Sequence, residues 1–170
     1  GEGGGGKPSG DLAAAIDMAE LLSSRYGVSA GVKWPNDILV DGRKSCGILS
    51  QMEAEGDQVG YLNIGMGLNV NNQPESVEPG AISLKSLLGR SVPRREILVA
   101  FLDAFEKRMK RFDPAAVIQQ WKSHNVTLGK RVVVVTIKET VEGLAVDLDA
   151  HGGLILQLDE HDSSVGYETR

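Results

Sequence analysis

KWPNDILVDGRKSCGIL, residues 33–49, places two lysines, an amide and a carboxylate around a tight turn, between segments that read as buried strands. Pro35 disfavours helical geometry at Trp34, so Val28 to Trp34 reads as extended and the polar pair Asn36-Asp37 follows a strand end. Asp41-Gly42 is a hairpin turn signal, and it joins Ile38–Val40 to a longer strand over Ser45–Ala54. Two readings of the stretch stand side by side. Lys33 and Lys44 are solvated lysines flanking a hairpin, with Asn36-Asp37 a local turn. Alternatively, adjacent strand ends bring Lys33, Asn36, Asp37 and Lys44 to one rim. There the glycines of the later GMGLN segment let a flat ligand lie against the sheet, and paired ammonium groups neutralise anions that otherwise repel.

Outward from this stretch, the 170 residues are 41% hydrophobic and 24% charged, enough for one core and a small second module. The net charge of −5 argues against a broad nucleic-acid footprint. Cys46 is the single cysteine, which excludes an intramolecular disulfide or a cysteine zinc cluster. It reads as a buried, unreactive thiol, since no partner base is evident. Neither a leader pattern nor a long apolar span is visible, so no membrane partner is expected and a cytoplasmic setting is. His124, His151 and His161 lack ligand spacing, and no metal-ligating residues are assigned.

The opening GEGGGGKPSG matches G-x-G-x-x-G only formally, because no strand precedes it; residues 1–10 read as a flexible tail or cloning remnant. Helical spacing of Leu12, Ile16, Ala19 and Leu22 predicts an amphipathic helix over 11–26, stopped by Gly27. A turn at Glu55 to Asp57 leads into a glycine-bearing strand over 58–70. A polar loop then gives way to a short helix at 85–88. Residues 94–112 form a longer helix whose stripe Ile97, Phe101, Phe105, Met109 and Phe112 reads as core, with Pro93 at its first turn and Asp113-Pro114 ending it. Residues 115–124 continue as a short helix. From Val126 the texture is all β, in RVVVVTIK, VEGLAVDLD, GGLILQLDE and a partial strand near Val165.

KWPNDI, then GRKSCGIL, then NIGMGLNVN resemble, in order and spacing, the catalytic core of biotin protein ligases. GLAVDLD at 143–149 and GGLILQL at 152–158 are similar to that family's carboxy-terminal module. The resemblance covers residues 11 to 160 and implies an α+β fold. A mixed β-sheet with helices on one face (the core, 11–125) would precede a small carboxy-terminal β-barrel (126–170). It implies ATP-dependent attachment of biotin, through biotinyl-5'-adenylate, to a lysine of a biotin carboxyl carrier protein domain. Its substrates would be ATP and biotin, with Mg2+. Matched to the family's motif, Lys44 is the catalytic electrostatic group at the biotin carboxylate and the α-phosphate. Gly47, Ile48, Gly65 and Gly67 line biotin, while Lys33, Asn36, Asp37 and Asn69 lie on the nucleotide side. Trp34 and Pro35 support the rim.

Two family features have no counterpart in these residues: the preceding strands that hold biotin, and the G-R-G-R-x-G-R-x-W loop that closes over the adenylate. The expectation is therefore a core truncated at the amino terminus, with impaired activity. No helix-turn-helix is seen, so a repressor role is not expected. A lipoate–protein ligase or lipoyl transferase is the alternative enzyme reading. A non-catalytic carrier-binding module of a split or degenerate ligase is the third. Homodimer formation through an exposed sheet edge is a further expectation.

Overall fold

The computed structural model describes residues 8–55, 58–158 and 165–167. The glycine-rich start up to residue 7, the tip of the 55–57 turn and His161 lie outside the described residues. Helix α1 (Pro8–Tyr26) begins three residues before the expected Asp11. Along it Leu12, Ala13, Ala14, Ala15, Ile16, Met18, Ala19 and Leu22 are all buried. A helix apolar on so many sides must be covered on several of them. Here the first sheet, α3 (Arg94–Met109) and α4 (Pro114–His124) supply the cover.

The first sheet runs in the order β1 (Ala30–Lys33), β2 (Asp37–Val40), β3 (Arg43–Glu55) and β4 (Gln58–Leu68). Every pairing in it is antiparallel, which corrects the expected mixed sheet. The reason is connection length. Lys33 pairs Asp37, Val40 pairs Arg43 and Glu55 pairs Gln58, so each link is a hairpin, whereas a parallel neighbour needs a crossover of about a dozen residues or more. The Asp41-Gly42 turn has φ of 51° and 73°, the doubly left-handed geometry that an Asp-Gly pair favours.

Short α2 (Leu84–Leu88) is capped by Ser83, whose hydroxyl accepts from the Ser86 N–H. The aromatic stripe of α3 is less buried than its spacing suggests. Ile97 is buried, Phe101 and Phe105 are half-buried and stack at 5.6 Å, Met109 is exposed, and Phe112 lies past the helix end. Its main neighbour is α1 on one side, which leaves Leu98, Val99 and Leu102 to solvent. Asp113 ends nothing by itself. It caps α4, its side chain accepting from the Ala115 N–H at 3.0 Å, with Pro114 in the first turn.

The second sheet, β5 (Arg131–Val135), β6 (Thr140–Leu148), β7 (Leu154–Gln157) and β8 (Val165–Tyr167), is an antiparallel meander. Among the described residues its outer strands β5 and β8 do not pair, so an open sheet stands where a closed barrel was expected. Outer strands of five and three residues are too short to wrap and meet across the sheet. Ala145, Leu148, Leu154 and Leu156 nevertheless join the same apolar cluster as α1 and the first sheet.

Candidate functional site

Strand β3 carries one residue more than β2 pairs with. Ile38 faces Cys46 but Leu39 faces Lys44, so Ser45 is the extra residue of a β-bulge. Strict alternation would have set Lys44 on the face of Cys46 and Ile48. The bulge turns Lys44 onto the opposite face, with Asp37, Gly47 and Leu49. Lys44 Nζ lies 3.2 Å from Asp37 Oδ1, and both side chains are about a third exposed, reachable by a ligand yet partly shielded from water. Gly47 sits over the pair: a Cβ there would lie 3.3 Å from Lys44 Cε and 3.5 Å from Asp37 Oδ1.

The glycines extend this into a floor. Gly47 pairs with Gly67 and Leu49 with Gly65, so three of these four positions on one face carry no side chain, and the exposed Leu49 is the fourth. Asn69, two residues after Gly67, continues the line. Its N–H donates to the Ser45 carbonyl at 2.8 Å, and its side-chain oxygen accepts from Asn72 at 2.9 Å. The sequence-derived residues Lys44, Asp37, Gly47, Gly65, Gly67 and Asn69 thus line one face of β2–β4.

Others stand differently. Lys33 is exposed at the end of β1, paired in register with Asp37. Asn36 closes the Trp34–Asn36 turn, its carbonyl accepting from the Ile48 N–H at 3.0 Å. The Ile48 side chain is buried in the core on the helix side, so only its backbone reaches the rim. Cys46 is buried too. Burial, reinforced by the Asp37 charge and opposed by Lys44, pushes its thiol up to about 12, which leaves no thiolate at neutral pH.

Three features of the site had no sequence signal. The backbone of Lys44 is clamped on both sides by the loop after β4: its N–H donates to the Gly80 carbonyl and its carbonyl accepts from the Ile82 N–H, each at 2.8 Å. Ser45 is buried with a hydroxyl that finds no hydrogen-bond partner, consistent with a position set by backbone pairing. Trp34 is held by residues far along the chain, its backbone N–H donating to Thr127 Oγ1 at 2.8 Å and its indole N–H to the Gly152 carbonyl at 3.0 Å.

Among the described residues no group of three or more His, Cys, Asp or Glu is placed to hold a metal ion, and no helix is long and apolar enough to cross a membrane. The site therefore offers one ammonium, one carboxylate, amides and a flat backbone floor. That chemistry suits a planar, anionic ligand.

Comparison with known proteins first fixes the class. The fold is shared with the apo biotin protein ligase of Aquifex aeolicus, at a TM-score of 0.78 and 24% identity over 94% of this chain and 72% of that one. The same enzyme in complex with biotin and ATP superposes at 0.75, with 23% identity over 94% and 68%. Residues 127–163 match the family model of the biotin protein ligase C terminal domain. The bifunctional ligase/repressor BirA of Bacillus subtilis is 34% identical over 158 residues, 88% of this chain and 48% of that protein. The biotin–[acetyl-CoA-carboxylase] ligase of Mycobacterium tuberculosis is 32% identical over 148 residues, 85% and 54%. The chain belongs to the biotin protein ligase family. It spans about half the length of the curated relatives it matches.

Proposed function

We propose that the chain carries part of the catalytic machinery for ATP-dependent attachment of biotin to a lysine of a biotin carrier domain. The observation that carries the reading is the Lys44–Asp37 pair standing at the edge of the Gly47, Gly67 and Gly65 floor. In the first step a biotin carboxylate oxygen attacks the α-phosphorus of ATP, the bond to the bridging oxygen breaks, and pyrophosphate leaves. Lys44 Nζ neutralises the two anions that must meet, a charge in place before the reaction needs it. In the second step the carrier lysine's amine attacks the acyl carbon, AMP leaves, and the amine loses a proton. Gly47, Gly65 and Gly67 admit biotin flat against the strands, with the Ile48 backbone beside them. Lys33, Asn36, Asp37 and Asn69 face the nucleotide.

Asp37 is the carboxylate paired with Lys44, so a magnesium ion here would draw its remaining ligands from the nucleotide's phosphates and from water. The division of labour we propose is a core over 11–125 and a separate module over 126–170. Association of two copies along the edge of β4 and a cytoplasmic setting complete the reading. Titration of biotin and of a non-hydrolysable biotinyl-adenylate analogue by calorimetry, together with transfer of biotin to a purified carrier domain by the full-length protein, tests it. Binding of both ligands, with transfer that needs ATP and the carrier lysine, is expected. Transfer of lipoate in place of biotin would replace the reading with the lipoate alternative. Ligand binding without any transfer would reduce the protein to a binding module.

A further inference from the structure

The turn that presents Asp37 is held from two sides. At its far end the Asn36 carbonyl accepts from Ile48 on β3. At its near end Trp34 gives both of its N–H groups to the segment after α4: the backbone N–H to Thr127, which is buried, and the indole N–H to the Gly152 carbonyl in the β6–β7 turn. That turn is itself fixed, with Asp149 Oδ1 accepting from the N–H groups of His151 at 2.7 Å and Gly153 at 2.9 Å. One residue therefore donates two bonds to points 25 residues apart along the chain, three residues before the carboxylate that pairs Lys44.

Docking of the second sheet is shared with other contacts. The Val126 N–H donates to the Val32 carbonyl at 2.9 Å, Lys122 pairs with Asp147 at 2.6 Å, and apolar residues of both sheets share one core. Gly31 allows the close approach, since a side chain there would collide with Val126. The two bonds from Trp34 add to these contacts, and they are the ones that start in the turn beside the site.

We propose that Trp34 is a positioning residue through which the carboxy-terminal sheet sets the Asn36–Asp37 turn against Lys44, and so tunes the nucleotide half of the site without touching ligand. The inference rests on the function proposed above. It can be separated from that function, because the coupling is readable without ligand.

The test uses Thr127→Val, which keeps the shape and removes the acceptor, Thr127→Ser, which restores a hydroxyl, and Trp34→Phe, which keeps an aromatic body and removes the indole donor. Amide resonances of Asn36, Asp37, Lys44 and Gly47 are followed in the ligand-free chain, and affinity is measured for biotin and for the biotinyl-adenylate analogue. The expected result is movement of those amides in Thr127→Val and Trp34→Phe, with return towards their original positions in Thr127→Ser. Affinity for the analogue falls about tenfold in the first two variants while that for biotin changes less than about twofold, as for loss of one orienting contact. Unmoved amides in both variants, or equal losses for the two ligands, would overturn the coupling. If the unsubstituted chain bound neither ligand, the proposed function would fall and take the nucleotide role of Trp34 with it, whereas moved amides would still establish the link between sheet and turn. If Trp34→Phe does not fold, the two Thr127 variants decide the matter.

Discussion

Ser45 decides which face Lys44 takes, and no residue preference announces it. Lysine, glycine and carboxylate were legible as a constellation because their types and order in 33–49 are unusual. Their shared face was not, because a bulge is a property of two strands and the sequence displays only one. The same fact separates Ile48 from Lys44: strict alternation would put both on the core face, and the extra residue turns Lys44 away while the Ile48 side chain stays in the core. Gly47 gives a direct test at this scale. Gly47→Ala puts a methyl group 3.3 Å from Lys44 Cε, so the pair must shift, while the surrounding backbone needs no left-handed geometry. We expect roughly a tenfold loss of affinity for the adenylate analogue with a stability change within about 1 kcal/mol. Calorimetry beside a thermal melt measures both, and unchanged affinity would show that the face over Gly47 is not the ligand's.

Helix α1 shows what apolar spacing does and does not disclose. Leu12, Ile16, Ala19 and Leu22 were readable from their periodicity, but the equally buried Ala13 and Ala14 were not, and neither was Asp17, whose partner lies on another element. Asp17 is 5% exposed and accepts from Arg108 Nε at 2.8 Å across the α1–α3 contact; Arg108 in turn bonds Gln120 on α4. Burial outweighs the Arg108 hydrogen bond and charge, so the carboxyl is raised above its ordinary value of 3.8. An acid whose folded value is raised holds its proton more tightly when folded. Its contribution is therefore fully present below 3.8 and is lost as pH rises through the raised folded value. Urea unfolding across this range should show the natural chain losing stability relative to Asp17→Asn as pH rises above 3.8. A relative gain would mean that the Arg108 pairing dominates. The aromatic stripe of α3 carries the complementary lesson: spacing gave the helix, but how deeply its face is covered depends on what packs beside it, and α1 covers only part.

At the scale of the whole molecule, the β texture after Val126 was plain in the sequence. The antiparallel order of the first sheet follows from its short turns, which were visible before the strand pairing was. What could not be read was how the second sheet attaches, because Gly31, Trp34, Thr127 and Gly152 carry no local signal of contact with one another. With Ala145, Leu148, Leu154 and Leu156 packed into the cluster that holds α1 and Trp121, the two sheets should unfold together. Tryptophan fluorescence, reporting Trp34 and Trp121, and far-ultraviolet circular dichroism should give coincident denaturant transitions. Two separated transitions would show that the sheets are independent folding units.

The central claim, that Lys44 holds the two reacting anions together, is tested most directly by biotin-dependent pyrophosphate release from the full-length protein, measured for the natural sequence, Lys44→Ala and Lys44→Arg with a melt of each. Loss of a preorganised charge predicts a fall of roughly 100-fold or more for the alanine variant. Arginine should rescue incompletely, since its planar fork cannot place one compact charge between two oxygens, and the partly exposed Lys44–Asp37 pair should cost about 1 kcal/mol of stability or less. Near-normal release by Lys44→Ala would contradict the account and return Lys44 to the role of a solvated lysine beside a hairpin.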